Sequence, residues 1–201
     1  MNLLTIFGML STLRSLRAHQ RWTRPQLEFY QQQRLRHLRD FAYKHSSFYR
    51  QFHNDILDGS LSEVPVLTKQ VMMAHFDELV TDPKIRLADI RQQRDKAPDA
   101  RYLGRYWVNA TSGSTGTPGI FLFDEQEWAT VLASFTRGYE WAGVRINLTR
   151  RRKIAIVSSV TPWHMSYLVG QTLRSPWAVT LRLSATEPIE HITQQLGASK
   201  S

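Results

Sequence analysis

At 201 residues, with 42% hydrophobic and 21% charged side chains, the chain holds enough apolar material for one sizeable core, or a core with a small helical appendage, and is not a disordered polymer. It contains no cysteine, which excludes disulfide scaffolds, thiolate metal sites and cysteine nucleophiles and fits a reducing, cytoplasmic setting; its seven histidines show no ligand spacing, so no metal site is read from them. Lys and Arg number 26 against 17 Asp and Glu, a net charge of +9, which favours phosphate-bearing partners: nucleic acid, an anionic membrane surface or nucleotide-type ligands.

The opening MNLLTIFGMLSTLRSLRAHQRW places its apolar run ahead of its arginines and lacks a small-residue cleavage site. It is not built as a secretory signal, and it is too short to span a membrane. Leu3, Ile6, Leu10, Leu13 and Leu16 recur at helical spacing and predict an amphipathic helix. Docking on its own domain is the leading reading, with a membrane surface met through residues 1–18 as the alternative. Thr23 and Gln26 have capping-box spacing and Pro25 falls in the first turn, so a helix is predicted from residue 24 into the forties, its apolar face formed by Leu27, Tyr30, Leu38, Phe41 and Ala42. After the short aromatic piece SSFYRQF, the stretch EVPVLTKQVMMAHFDELVTDP reads as an extended lead-in, a Thr68 cap and one helix ending before Pro83.

Near residue 101 the pattern changes. RYWVNA and GIFLF are short β-branched and aromatic runs that predict strands on either side of the loop TSGSTGTPG, residues 111–119. A helix follows, with Asp124 and Glu127 as a capping box, Trp128, Val131, Leu132, Phe135 and Tyr139 on one face, and Gly143 as its stop. KIAIVSS predicts a strand, HMSYLVGQTL a helix and WAVTLRLS an alternating strand, while Ser184 and Glu187 offer a capping box for a helix through IEHITQQL. The fold class expected is therefore α/β: a helical segment over 1–100, then a partial, mostly parallel sheet with helices over 101–201.

The loop is the stretch with chemistry in it. A triphosphate is held well by converging backbone N–H groups, by hydroxyl donors, and by residues without a Cβ that let the backbone approach closely. Gly113, Gly116 and Gly119 supply the last property; Thr111, Ser112, Ser114, Thr115 and Thr117 supply hydroxyls. The loop is neither a Walker loop nor a dinucleotide fingerprint, because it lacks G-K-[ST] and leads into a strand rather than a helix. On the residues alone, a polar hairpin loop remains the competing reading.

TSGSTGTPG resembles the Ser/Thr/Gly-rich motif of the adenylate-forming superfamily of acyl-CoA synthetases, and within it the phenylacetate-CoA ligase family and its capsule-biosynthesis relatives. Its surroundings are similar as well: LRHLRDFAYKHSSFYRQF, VPVLTKQVMMAHFDELVTD, FLFDEQEW, KIAIVSSVTPWHMS and LRLSATEPIEHITQQL, so the likeness runs over roughly residues 20 to 196. The resemblance implies an ATP-dependent ligase. A carboxylate attacks the α-phosphate of ATP, pyrophosphate leaves, and the acyl group passes to a thiol, commonly that of CoA, with Mg²⁺ and the loop donors stabilising the departing charge. It assigns phosphate binding to Thr111, Ser112, Gly113, Ser114, Thr115, Gly116 and Thr117, and places His164 at the border of the acyl pocket; by residue type alone, a histidine at a helix start serves capping or packing as readily.

Two departures from the family pattern stand out. Gly119 follows Pro118 where many superfamily members carry lysine, so no lysine remains in the loop; the run from Arg150 to Lys153 is a substitute or a CoA-phosphate contact, or a solvated turn. No counterpart is found for the family's segments that serve adenine, ribose and the catalytic lysine. The chain is therefore expected to be the N-terminal part of such a ligase, inactive alone, with GASKS at its end as a frameshift or premature stop would leave it. The alternatives are a fragment that assembles with a separate C-terminal piece or as an oligomer, and a basic nucleic-acid-binding module, for which no reading motif is found.

Overall fold

The structure, a computed structural model, describes residues 3–53, 59–111, 113, 116–144, 152–172 and 178–198. It is mixed α/β, and the chain groups into two compact units: one comprises Ala18–Ala100 and Gly113–Ile120, the other Met1–Arg17, Arg101–Ser112 and Phe121–Ser201.

The first unit is helical. Its longest element, α2 (Arg24–His45), starts where the capping box predicts, with the Thr23 N–H donating to Gln26 Oε1 at 2.8 Å. Its apolar face is not the one expected: Tyr30, Leu38 and Phe41 stand exposed, together with Phe29, and the buried residue of the helix is Arg39. The Arg39 guanidinium reaches the Gly59 carbonyl at 2.6 Å, a charge-assisted bond that ties the helix to a loop rather than to an apolar neighbour. In α3 (Ser47–Phe52), fully buried Ser46 accepts from the Tyr49 N–H and donates to the Glu78 carbonyl at 3.0 Å, so one hydroxyl satisfies a helix start and anchors it. The single helix expected after Thr68 is two, α4 (Lys69–Ala74) and α5 (Phe76–Leu79), because the chain leaves helical geometry at His75 and buries Met73 and Phe76 in successive turns. Thr68 does cap, accepting from Val71 N–H at 3.3 Å. A further helix, α6 (Leu87–Lys96), carries no local capping signal; Asp77, ten residues upstream, accepts its Leu87 N–H at 2.8 Å. Buried Ile85 and Ile90 hold it down.

The second unit begins with α1 (Leu3–His19), whose residues through Arg17 belong to it. Then come β1 (Trp107–Ala110), β2 (Ile120–Phe123), α7 (Glu125–Trp141), β3 (Arg152–Ser158), α8 (Met165–Thr172), β4 (Ala178–Ser184) and α9 (Ile189–Ala198). The strands do not join into the one sheet expected: among the described residues β1 pairs with β2, antiparallel, and β3 with β4. The second pair is parallel, Ile154 facing Thr180 and Val157 facing Leu183, with α8 as the crossover that parallel strands need.

The core of this unit is Trp128, Leu132, Leu168 and Val169, with Met9, Trp107 and Phe123 packed against it. Trp107 stacks on Trp128 with ring centroids 4.9 Å apart, and Trp128 Nε1 donates to Thr172 Oγ1 at 3.3 Å, so a large apolar body is buried with its polar atom satisfied. Helix α7 has the predicted box, Asp124 Oδ1 accepting from Gln126 and Glu127 N–H at 2.9 Å. Its buried stripe, however, runs through Trp128, Ala129, Leu132 and Ala133, leaving Phe135 and Tyr139 exposed.

The alanines mark where α1 lies. Thr5 bonds Glu125, a Cβ on Gly8 would sit 3.4 Å from that of Ala129, and Arg17 bonds Glu140, so α1 runs beside α7 in the same direction. Close approach at Gly8 and Ala129 turns Thr5 and Leu13 inward, not the Leu3 and Leu10 stripe that leucine spacing alone predicts. At the other end, α9 is not capped by Ser184 and Glu187. Ser184 closes β4 and its hydroxyl lies 2.7 Å from that of Thr186, while the Pro188 carbonyl accepts the first helical N–H bond, from Ile192 at 3.1 Å. Among the described residues no helix is long and apolar enough to cross a membrane.

Candidate functional site

The loop 111–119 links the two strands of the antiparallel pair. Thr111 groups with the α/β unit and residues 113–119 with the helical unit. Ser112, Ser114 and Thr115, three of the hydroxyl residues assigned to phosphate, lie outside the described residues.

On the helical side the backbone is left-handed twice, with φ +70° at Gly113 and +94° at Gly116. The Gly116 N–H donates to the Gly113 carbonyl at 2.7 Å, which occupies one amide that the residues offered to phosphate. A Cβ on Gly113 would meet Pro118 Cγ at 3.1 Å, whereas one on Gly116 would meet nothing within 4 Å. Glycine is thus required at Gly113 by conformation and by space, and at Gly116 by conformation. Thr117 is half-buried, and its N–H and hydroxyl have no hydrogen-bond partner among the described residues. Beyond the turn, Gly119 and Ile120 are buried, and the Ile120 N–H points at Met73 Sδ, 3.4 Å away.

On the α/β side, β1 ends in a clamp that the sequence reading missed. The Trp163 carbonyl accepts two bonds, from the Ala110 N–H at 2.8 Å and from Asn109 Nδ2 at 2.9 Å. Trp163 is itself buried and sits at φ +72°, an unusual conformation for a bulky residue, which persists because its surroundings fix it. The signal for this clamp was legible: an asparagine inside the apolar strand WVNA must find partners for its amide. The clamp fixes the segment 159–164 at the carboxyl end of β1, next to Thr111, which is exposed. His164 follows directly; its Nδ1 lies 2.7 Å from Ser159 Oγ, and its carbonyl accepts the Leu168 N–H at 3.0 Å. His164 therefore caps α8 and bonds a serine at the end of β3, near where the parallel pair ends with Ser158 facing Ser184. Crevices at the carboxyl ends of parallel strands are where α/β sheets bind ligands.

Of the run from Arg150 to Lys153, the first two residues lie outside the described residues and Lys153 is exposed. Among the described residues no three His, Asp or Glu side chains converge as a metal-ligand set. In the helical unit, away from the loop in sequence, burial raises the Tyr49 hydroxyl, and burial, then the charge of Arg39, pulls His53 below the ordinary histidine range. His53 Nδ1 is buried without a hydrogen-bond partner among the described residues. A shallow depression of about 300 Å³ beside α4 to α6, with His75, Asp77, Glu78 and Arg91 on its walls, does not involve the loop.

No protein-family model matches this chain, and no curated protein matches it.

Proposed function

We propose that this chain carries the triphosphate-binding loop of an ATP-dependent adenylate-forming ligase, similar to the phenylacetate-CoA ligases and their capsule-biosynthesis relatives, and that its two units are the helical segment and part of the α/β domain of that architecture. The observation that carries the reading is the paired left-handed glycines of a short turn between two strands: Gly113 at +70° and Gly116 at +94°, in a loop rich in hydroxyls. A slack polar hairpin has no need of a glycine whose Cβ would strike a proline ring; a backbone shaped to present N–H groups does. Thr117, whose N–H and hydroxyl have no partner among the described residues, adds a donor of the same kind.

The loop holds no cation of its own, so its contribution to pyrophosphate departure is neutral N–H and O–H donation, fixed in place before the charge develops. On this reading the other substrates are a carboxylate and a thiol such as CoA, the setting is cytoplasmic, and His164, held by Ser159, borders the carboxylate. Residues 1–201 offer no counterpart of the family's adenine, ribose and catalytic-lysine segments, so the proposal assigns phosphate binding rather than turnover to them.

Equilibrium dialysis with labelled nucleotides tests it. ATP is expected to bind saturably and more tightly than AMP, because the loop grips the outer phosphates, and Gly116→Val is expected to weaken ATP binding by about tenfold or more through the cost of a β-branched residue at positive φ. Equal binding of ATP and AMP, or an unchanged Gly116→Val, contradicts the reading; carboxylate-dependent exchange of labelled pyrophosphate into ATP by this chain alone contradicts the assignment of binding without turnover.

A further inference from the structure

Helix α1 is apolar on both sides of its first two turns, and only one side is used. The inward face, through Thr5, Met9 and Leu13, is docked against α7 and the tryptophan core. Facing away, Leu3 is 84% exposed, Leu4 79%, Phe7 75% and Leu10 54%; at 100° per residue, positions 3, 7 and 10 form one line and Leu4 flanks it. Four large apolar side chains in one stripe are not the scattered exposure that ordinary surfaces show.

The same line continues into positive charge. Arg14 lies one turn beyond Leu10 on the outward face, and Arg17 follows at the edge, where it bonds Glu140. Within α1 there are two arginines and not one aspartate or glutamate. Arg14 has no ion-pair partner among the described residues. An apolar stripe that runs along the helix toward a cationic end suits a surface that is apolar within and anionic at its rim. An anionic phospholipid bilayer has that layering, and a helix of this pattern lies in its headgroup boundary rather than crossing it. A protein groove would match the leucines and phenylalanine, but not an acid-free stretch of this length.

We propose that the outward face of α1 is a membrane-surface anchor: Leu3, Leu4, Phe7 and Leu10 enter the headgroup boundary of an anionic bilayer and Arg14 meets the lipid phosphates. The anchor is independent of the nucleotide reading. Because the inward face keeps its contacts with α7, docking to lipid requires no unfolding of the unit.

Co-flotation of the full 201-residue chain with vesicles tests it. The chain is expected to float with vesicles of mixed phosphatidylglycerol and phosphatidylcholine, to stay in solution with phosphatidylcholine alone, and to be released by high salt. Phe7→Ser is expected to weaken partitioning by about tenfold, the loss of one buried aromatic ring, and Arg14→Glu to weaken it on anionic vesicles only. Both residues face outward, so thermal melts of the variants match the parent and misfolding does not account for the loss. Failure to float with anionic vesicles overturns the proposal. So does equal flotation of both variants with the parent, or a stripe that drives self-association, read as a concentration-dependent dimer that Phe7→Ser abolishes and that excludes vesicles.

Discussion

Replacing Gly113 with alanine is expected to destabilise the protein more than the same change at Gly116, and the difference measures whether the loop is shaped or slack. Both glycines are left-handed, at +70° and +94°, and that conformation costs an L-residue about 1–2 kcal/mol. At Gly113 a second cost adds to the first: the new Cβ lies 3.1 Å from Pro118 Cγ and 3.3 Å from its Cδ, and the closed ring cannot rotate away. Overpacking of this kind costs about 1–3 kcal/mol, so Gly113→Ala is expected at roughly 2–5 kcal/mol and Gly116→Ala at roughly 1–2 kcal/mol. Gly138 supplies the opposite control. It lies inside α7 with helical geometry and open space around its Cβ position, so Gly138→Ala is expected to stabilise by about 0.5–1 kcal/mol. Urea unfolding of the three variants at 25 °C, compared through midpoint and slope, reads all of this. If Gly113→Ala and Gly116→Ala are both neutral, the turn relaxes freely and the argument for a pre-shaped cradle fails.

Three other changes probe the parts that hold the loop's neighbours. Asn109→Ala removes one of two bonds to the Trp163 carbonyl and is expected to cost about 1–2 kcal/mol in the same urea assay; a change below about 0.3 kcal/mol would mean the clamp adds nothing beyond the Ala110 N–H. Gly8→Leu forces a side chain into the line where α1 meets Ala129, with an expected loss of about 1–3 kcal/mol and faster exchange of the α1 amides; unchanged exchange would place α1 elsewhere. The pH dependence turns on His53. Its folded value is lowered, by burial first and then by Arg39, so the unfolded chain takes up the proton first. Its contribution is intact above the ordinary histidine value of about 6.5 and is lost as pH falls below that through the folded value. The melting temperature should therefore fall between pH 7 and pH 5 more steeply in the parent than in His53→Gln, and parallel slopes would refute this.

What could be read from the sequence was local chemistry. The capping boxes at Thr23 and Asp124, the Thr68 cap, the strand pairs around the loop and the parallel strand-helix-strand unit all follow from residues close in the chain, because caps and periodicity are short-range effects. What could not be read was set by partners far away. Helix α6 is capped by Asp77, outside any capping window, and α1 turns Thr5 inward because Gly8 and Ala129 allow close approach. Leucine periodicity cannot distinguish two apolar faces of one helix. The expectation of one sheet failed for a related reason: strand order depends on which edges meet, and nothing in WVNA or IFLF encodes a neighbour. In the loop, the need for glycine at Gly113 and Gly116 was legible and agrees with their positive φ, but the amide of Gly116 turns out to be engaged within the turn. The clamp of Asn109 on Trp163 links residues 54 apart and was visible only as an amide in search of a partner.

The central claim, that the loop receives the phosphates of ATP, is tested most directly by amide hydrogen exchange of the chain with and without ATP. The account predicts slowed exchange centred on residues 111–119, with the amide of Thr117 among those protected, and little change in the arginine-bearing segments at 14–24. Protection confined to the basic helices, or none in the loop at saturating ATP, would contradict it.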